Sequence, residues 1–171
     1  METAVTLDRA IQISLTKPLR RRTETVSLDK ARGRVTARPL ASRVDDPRFD
    51  NSAMDGFAVR AEDCEDEQTT LTVVGTSQAG GESPPDVGQG QACRIMTGAP
   101  MPRGADAIVM IEDTDVQGKT VTVRGSARTG FIRRRAENLS IGQEALPAGT
   151  LLDSAKLALS LIHISEPTRP L

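Results

Sequence analysis

Between residues 46 and 139 the apolar pattern comes only in short alternating bursts, and this limits most what the chain can build. The bursts are Thr70-Leu71-Thr72-Val73-Val74, Ala92-Cys93-Arg94-Ile95-Met96, Ala107-Ile108-Val109-Met110-Ile111 and Thr120-Val121-Thr122-Val123. Each has the period of two that sends alternate side chains to opposite faces of a strand. Gly80-Gly81-Glu82-Ser83-Pro84-Pro85, Gly98-Ala99-Pro100 and Gln117-Gly118 separate them, and glycine and proline punctuate turns. Short strands at this spacing predict a small all-β barrel or sandwich. With three Phe, no Trp and no Tyr, the core has to come from Val, Ile, Leu, Ala and Met. The Gly80-Gly81 pair is not read as a phosphate loop, because no Gly-Lys-Ser/Thr follows and no helix opens there.

Asp50-Asn51-Ser52-Ala53-Met54-Asp55-Gly56 leads into this region and runs directly into Phe57-Ala58-Val59-Arg60. Asp, Asn, Ser and Gly form turns because their side chains bond nearby backbone or because they tolerate positive φ. The following run alternates like a strand. Asp55 is therefore expected on a tight loop feeding a strand, where a rigid element can aim polar groups at a ligand. An ordinary turn with local caps is the other reading of the same composition.

The flanks are less regular. Leu7, Ala10, Ile11 and Leu15 recur at helical spacing after Thr6, a candidate N-cap, and Pro18 marks the end. Arg20-Arg21-Arg22 reads as a solvated face between elements. Val26, Leu28, Ala31 and Val35 suggest a short helix with Gly33 as its C-cap. Pro39 and Pro47 bracket the exit from this region.

A net charge of −1 leaves no electrostatic footprint for nucleic acid, and the scarcity of aromatics removes stacking platforms. No run reaches membrane-span length and no signal peptide is visible at Met1-Glu2-Thr3, so the chain reads as cytoplasmic. Cys64 and Cys93 stand far apart without a Cys-x-x-Cys motif; they are expected to be structural, with no zinc site and no disulfide.

A second stretch, Arg94-Ile95-Met96-Thr97-Gly98-Ala99-Pro100-Met101-Pro102-Arg103-Gly104-Ala105-Asp106-Ala107-Ile108-Val109-Met110, joins the first in a resemblance. Together the two are similar to the paired motifs of the molybdopterin molybdenumtransferase family, the bacterial MoeA proteins and the gephyrin E domain. Both match almost residue for residue, in the same order and at about the family's separation.

The resemblance implies a mainly β fold with a few short helices (α+β). Residues 1–45 and 140–158 would form a discontinuous, elongated first domain, with a small β-barrel-like domain, 46–139, inserted into it. It further implies molybdenum cofactor biosynthesis: molybdenum from molybdate enters adenylylated molybdopterin and AMP leaves. Asp55 and Thr97 match positions counted as catalytic. Asn51, Ser52, Gly98 and Arg133–Arg135 are candidate substrate contacts, and the turn at 97–100 is expected to offer a hydroxyl and free amides. Since every reactant is anionic, Asp55 would hold Mg²⁺ between itself and substrate, or a water or a substrate hydroxyl. The implied partners are a second subunit, in a homodimer with a shared active site, and the molybdopterin adenylyltransferase of the same pathway. A non-catalytic dimerisation or scaffolding module of gephyrin type is the alternative.

Residues 129–152 depart from the family pattern at Phe131, Ala136 and Asn138, where Asn, Gly and Asp are usual. Arg133-Arg134-Arg135 is open to two readings, an exposed charged loop or a forked anion contact. Beyond Asp153-Ser154-Ala155-Lys156-Leu157-Ala158 the family pattern ends. Residues 159–171 match the peptide that a common transposase-based sequencing adapter encodes in frame. They are expected to be an artefactual tail that does not extend the helix beginning near Asp153, which removes His163, the sole histidine, from any mechanism. On that reading the chain is a truncated and inactive fragment without the family's third and fourth domains.

Overall fold

The computed structural model describes residues 5–16 and 22–164. Its centre is a six-stranded sheet made of β3 (Gly56–Val59), β4 (Thr69–Ser77), β5 (Gln91–Ile95), β6 (Ala107–Met110), β7 (Thr114–Gln117) and β8 (Thr120–Val123). The strand order is β6-β3-β5-β4-β8-β7. Only β4 and β5 run parallel; every other pair is antiparallel. The sheet curls into a half-barrel, and the protein is mostly β with two helices, as the sequence leads one to expect.

Strand β3 lies between β5 and β6, and all four of its residues are buried. Alternation splits the apolar side chains between two cores. Phe57, Val59, Leu71, Ala92 and Val121 pack on one face; Ala58, Cys93, Ile95, Ile108 and Ile132 pack on the other. A fully buried side chain of this kind stabilises by roughly 1.5–3 kcal/mol relative to exposure, so the two faces together hold β3 rigidly. Gly56 begins the strand for a steric reason: a Cβ there would lie 1.9 Å from the Val109 carbonyl oxygen.

Two small antiparallel pairs flank the sheet. β1 (Leu40–Ala41) pairs with β10 (Glu144–Leu146), and β2 (Asn51–Ser52) pairs with β9 (Ile132–Arg133). Bridges at Val35–Leu151 and Asp46–Leu139 continue the contact. The chain on the N-terminal side of the sheet thus runs antiparallel to the chain leaving it. The helix expected near Val26–Val35 is only a short 3₁₀ turn, Leu28–Lys30. Gly33 follows it at φ +78°, its N–H donating to the Leu152 carbonyl, so the backbone is drawn to the opposite segment instead of continuing a helix.

Helix α1 (Leu7–Thr16) carries the anticipated apolar spacing but buries none of its residues. Helix α2 (Ser154–His163) is capped by Asp153, whose carboxylate accepts from the Lys156 N–H at 2.9 Å. It does not stop near 159 as expected. Ser160 and His163 are buried, and the Arg43 N–H donates to the His163 carbonyl at 2.8 Å, contacts that carry the helix past the expected end. Residues 165–171 of the expected tail, and Arg20 and Arg21, lie outside the described residues. Among the described residues no helix is long and apolar enough to cross a membrane.

Candidate functional site

Strand register brings the two motifs together. Gly56 on β3 is opposite Ile95 on β5, so Asp55, just before β3, meets Thr97, just after β5. One Asp55 oxygen, Oδ1, accepts from the Thr97 N–H at 2.7 Å and from the Thr97 hydroxyl at 2.8 Å. Both residues are exposed. The Thr97 N–H and then its hydroxyl hold the Asp55 carboxyl below the usual aspartate value of 3.8, against an opposing effect of burial that is larger than the further lowering by the charge of Arg94. Asp55 is therefore a carboxylate at neutral pH. None of the hydrogen bonds among the described residues uses its Oδ2.

The turn after β5 corrects one expectation. Its amides are not free: the Thr97 N–H goes to Asp55, the Gly98 N–H to the Ser52 carbonyl at 2.8 Å, and the Ala99 N–H to the Met96 carbonyl at 2.9 Å. Gly98 adopts φ +79°, a left-handed conformation that favours glycine. Ser52 is buried and its hydroxyl accepts from the Met54 N–H at 3.1 Å. Asn51 is also buried, and its amide donates to the Phe49 carbonyl at 3.4 Å. Asn51, Ser52 and Gly98 thus lock the two motif turns to each other, and the exposed chemistry belongs to Asp55 and Thr97.

The arginine loop carries paired charge. Arg133 pairs with Glu137 at 3.0 Å, Arg134 with Asp50 at 2.7 Å and Arg135 with Asp45 at 2.6 Å. The Arg134 and Arg135 backbone N–H groups also bind Glu137 and Asp50. These bonds hold Asp45, Asp50 and Glu137 below their usual carboxylate values; the largest contribution is the Ile141 N–H for Asp45, the Arg135 N–H for Asp50 and the Arg133 guanidinium for Glu137. A cavity of about 190 Å³ lies beside this junction, lined by Arg43, Val44, Asp45, Arg48, Arg135 and Ile141, and does not include Asp55 or Thr97.

Cys93 is fully buried and Cys64 half-buried; desolvation pushes both thiols up to about 11, so neither is a ready thiolate. They stand as unbridged packing residues. Among the described residues no group of three or more His, Cys, Asp or Glu is placed to hold a metal ion. Asp55 offers one unengaged carboxylate oxygen, whereas Mg²⁺ demands six oxygen ligands in a near-octahedral set. These residues alone do not make a magnesium site.

Sequence reasoning missed one neighbour. Arg94 is opposite Phe57 in the β3–β5 register, and its guanidinium lies over the Phe57 ring, 5.2 Å from the centroid. The signal was there in the alternation: Ala92 and Arg94 share the face that Phe57 and Val59 occupy.

The comparison with known proteins takes in both motifs. The family described as the MoeA N-terminal region (domain I and II) matches residues 5–162. A molybdopterin molybdenumtransferase of Nostoc sp. is 41% identical over 142 residues, which is 80% of this chain and 33% of that protein. The Haemophilus influenzae molybdopterin molybdenumtransferase is 37% identical over 158 residues, 91% of this chain and 39% of the relative. A crystal structure of the molybdopterin biosynthesis MoeA protein from Pyrococcus horikoshii OT3 superposes with TM-score 0.75 at 33% identity, covering 81% of this chain and 38% of the other. A second crystal structure of a Pyrococcus molybdopterin biosynthesis MoeA protein gives 0.80 at 30% identity, covering 94% and 42%. The chain therefore spans between a third and about two fifths of the length of these relatives. Matched in sequence over nearly all its described length and in fold to solved relatives, the chain belongs to the family of the MoeA N-terminal region.

Proposed function

We propose that this chain forms the domain I and II share of a molybdopterin molybdenumtransferase acting in molybdenum cofactor biosynthesis. The observation that carries the reading is the Asp55–Thr97 pair. It joins the two motifs through bonds of 2.7 and 2.8 Å, and leaves both side chains exposed on a rigid strand end. The whole protein would move molybdenum from molybdate onto the dithiolene of adenylylated molybdopterin, releasing AMP.

In this reading Thr97 fixes the Asp55 carboxylate and keeps it ionised. Asp55 then presents its second oxygen to a substrate hydroxyl or a water. A divalent cation fits only where substrate oxygens complete its coordination, because this chain supplies one carboxylate oxygen. Mg²⁺ alone should therefore leave the Asp55 carboxyl resonance unmoved in a ¹³C NMR titration; a saturable shift would demand a preformed metal site.

An exposed pair on a sheet end does not enclose substrates of this size, which need a deep cleft with many donors. The missing wall would come from the third domain of a second subunit, in a homodimer with a shared site in the cytoplasm. The adenylyltransferase of the pathway would deliver the substrate. Restored to a full-length protein, Asp55→Asn should keep the fold while molybdenum insertion falls on the order of 100-fold or more, the cost of losing a carboxylate positioned on a substrate hydroxyl or water. Unfolding of the variant would make Asp55 a structural cap and end the assignment.

A further inference from the structure

The site as described has an acid and a hydroxyl but no evident donor for an anion. The Thr97 hydroxyl proton is committed to Asp55, and the amides of residues 97–99 are spent within the turns. Arg133, Arg134 and Arg135 are each paired with an acid. Arg94 is different. Among the described residues no carboxylate forms an ion pair with it, although its charge acts on the Asp55 carboxylate nearby, and its Nη1 donates to the Gly56 carbonyl at 3.4 Å. Gly56 is the residue next to Asp55, so the guanidinium sits at the edge of the Asp55–Thr97 pair.

Two contacts also fix it. Its Cζ lies over the Phe57 ring, 5.2 Å from the centroid, and Phe57 is itself buried. A guanidinium held over a ring and by one backbone bond loses little freedom on binding, and its remaining N–H groups match two oxygens of a tetrahedral anion. A lysine cannot reproduce that fork.

We propose that Arg94 is the oxyanion-binding residue of this site, taking a tetrahedral oxyanion beside the Asp55–Thr97 pair. The inference rests on the functional reading above, and deepens it by naming the group that receives the negative charge. Two sources share the chemistry, a phosphomonoester such as AMP and molybdate itself.

The test uses the 171-residue chain, isotope-labelled, with inorganic phosphate, molybdate and AMP titrated separately while the arginine Nε–Hε signals are followed by NMR. The Arg94 signal should shift saturably at millimolar anion, together with the Thr97 and Gly98 amides. Arg94→Gln should abolish the response and Arg94→Lys should weaken it several-fold. Arg128→Gln should leave it intact; Arg128 makes the same kind of ring contact, 5.4 Å from the centroid of Phe131. Tighter binding of AMP assigns the position to the phosphate ester, and tighter binding of molybdate assigns it to the metal oxyanion. A silent Arg94 signal, or affinity retained in both Arg94 variants, overturns the proposal. Arg94→Lys keeps the charge, so it decides the matter if Arg94→Gln does not fold. Saturable binding in a chain whose intact form inserts no molybdenum would sustain Arg94 and remove the enzyme reading. A silent Arg94 signal with insertion lost in Asp55→Asn would do the reverse.

Discussion

At single positions, the departures from the family pattern acquire physical causes. Ala136 stands at φ +62°, the left-handed region that the usual glycine adopts without cost. Strain of roughly 1–2 kcal/mol at a non-glycine residue there is offset in part by the smaller entropy alanine loses on folding. Ala136→Gly should therefore raise stability by about 0.5–1 kcal/mol in urea unfolding. Asn138 donates from its amide to an Asp46 oxygen at 2.9 Å; the aspartate usual at that position could not donate and would set two carboxylates together. Phe131 packs against the second core and takes the Arg128 guanidinium on its ring. None of this could be read from the residues singly. Arg134 and Arg135 find Asp50 and Asp45 more than eighty positions away in the chain, so nothing local in the sequence marks the arginines as already neutralised.

Elements were legible in proportion to their alternation. β4, β5, β6 and β8 coincide with the apolar bursts, whereas β7, Thr-Asp-Val-Gln at a sheet edge, has one apolar residue and announces nothing. The Asp55 turn was placed correctly before its strand, but the use of the 97–99 amides depended on strand register. Gly56 shows how tightly that register is held. Gly56→Ala would drive a methyl into the Val109 carbonyl at 1.9 Å and part β3 from β6. A loss beyond the ~1–3 kcal/mol of ordinary overpacking is expected, read as loss of folded protein in a thermal melt. The end of α2 is a weaker joint. His163 gains the Arg43 N–H bond, yet its Nδ1 is buried without a partner among the described residues. One such bond contributes about 1 kcal/mol and one orphaned polar atom costs about as much, so the buried side chains decide the balance. Ending the chain at Ala158 removes half of α2 with its buried Ser160 and His163, so stability should fall by about 1–3 kcal/mol in urea unfolding; an unchanged midpoint would show that these residues contribute nothing.

Across the whole molecule the charged junction is the place where pH acts. Asp45 and Asp50 have folded values below 3.8 and Glu137 below 4.5. Their contribution is fully present above those unfolded values and is lost as pH falls through the lower folded ones. Stability should therefore decline on acidification below about pH 4, with a shallower slope in an Asp45→Asn, Asp50→Asn double variant. Helix α1 meanwhile leaves Leu7 77% and Leu15 81% exposed, an apolar edge that this chain does not cover with its own described residues. The antiparallel run from Val35–Leu151 to Asp46–Leu139 has a further meaning. Because the Asp46 N–H reaches the Leu139 carbonyl at 2.8 Å, the half-barrel begins and ends at one doorway. Closing a loop costs free energy only as the logarithm of its length, so the ladder is expected to tolerate a longer or shorter run of chain beyond that doorway, provided the Arg135–Asp45 pair that crosses it is kept.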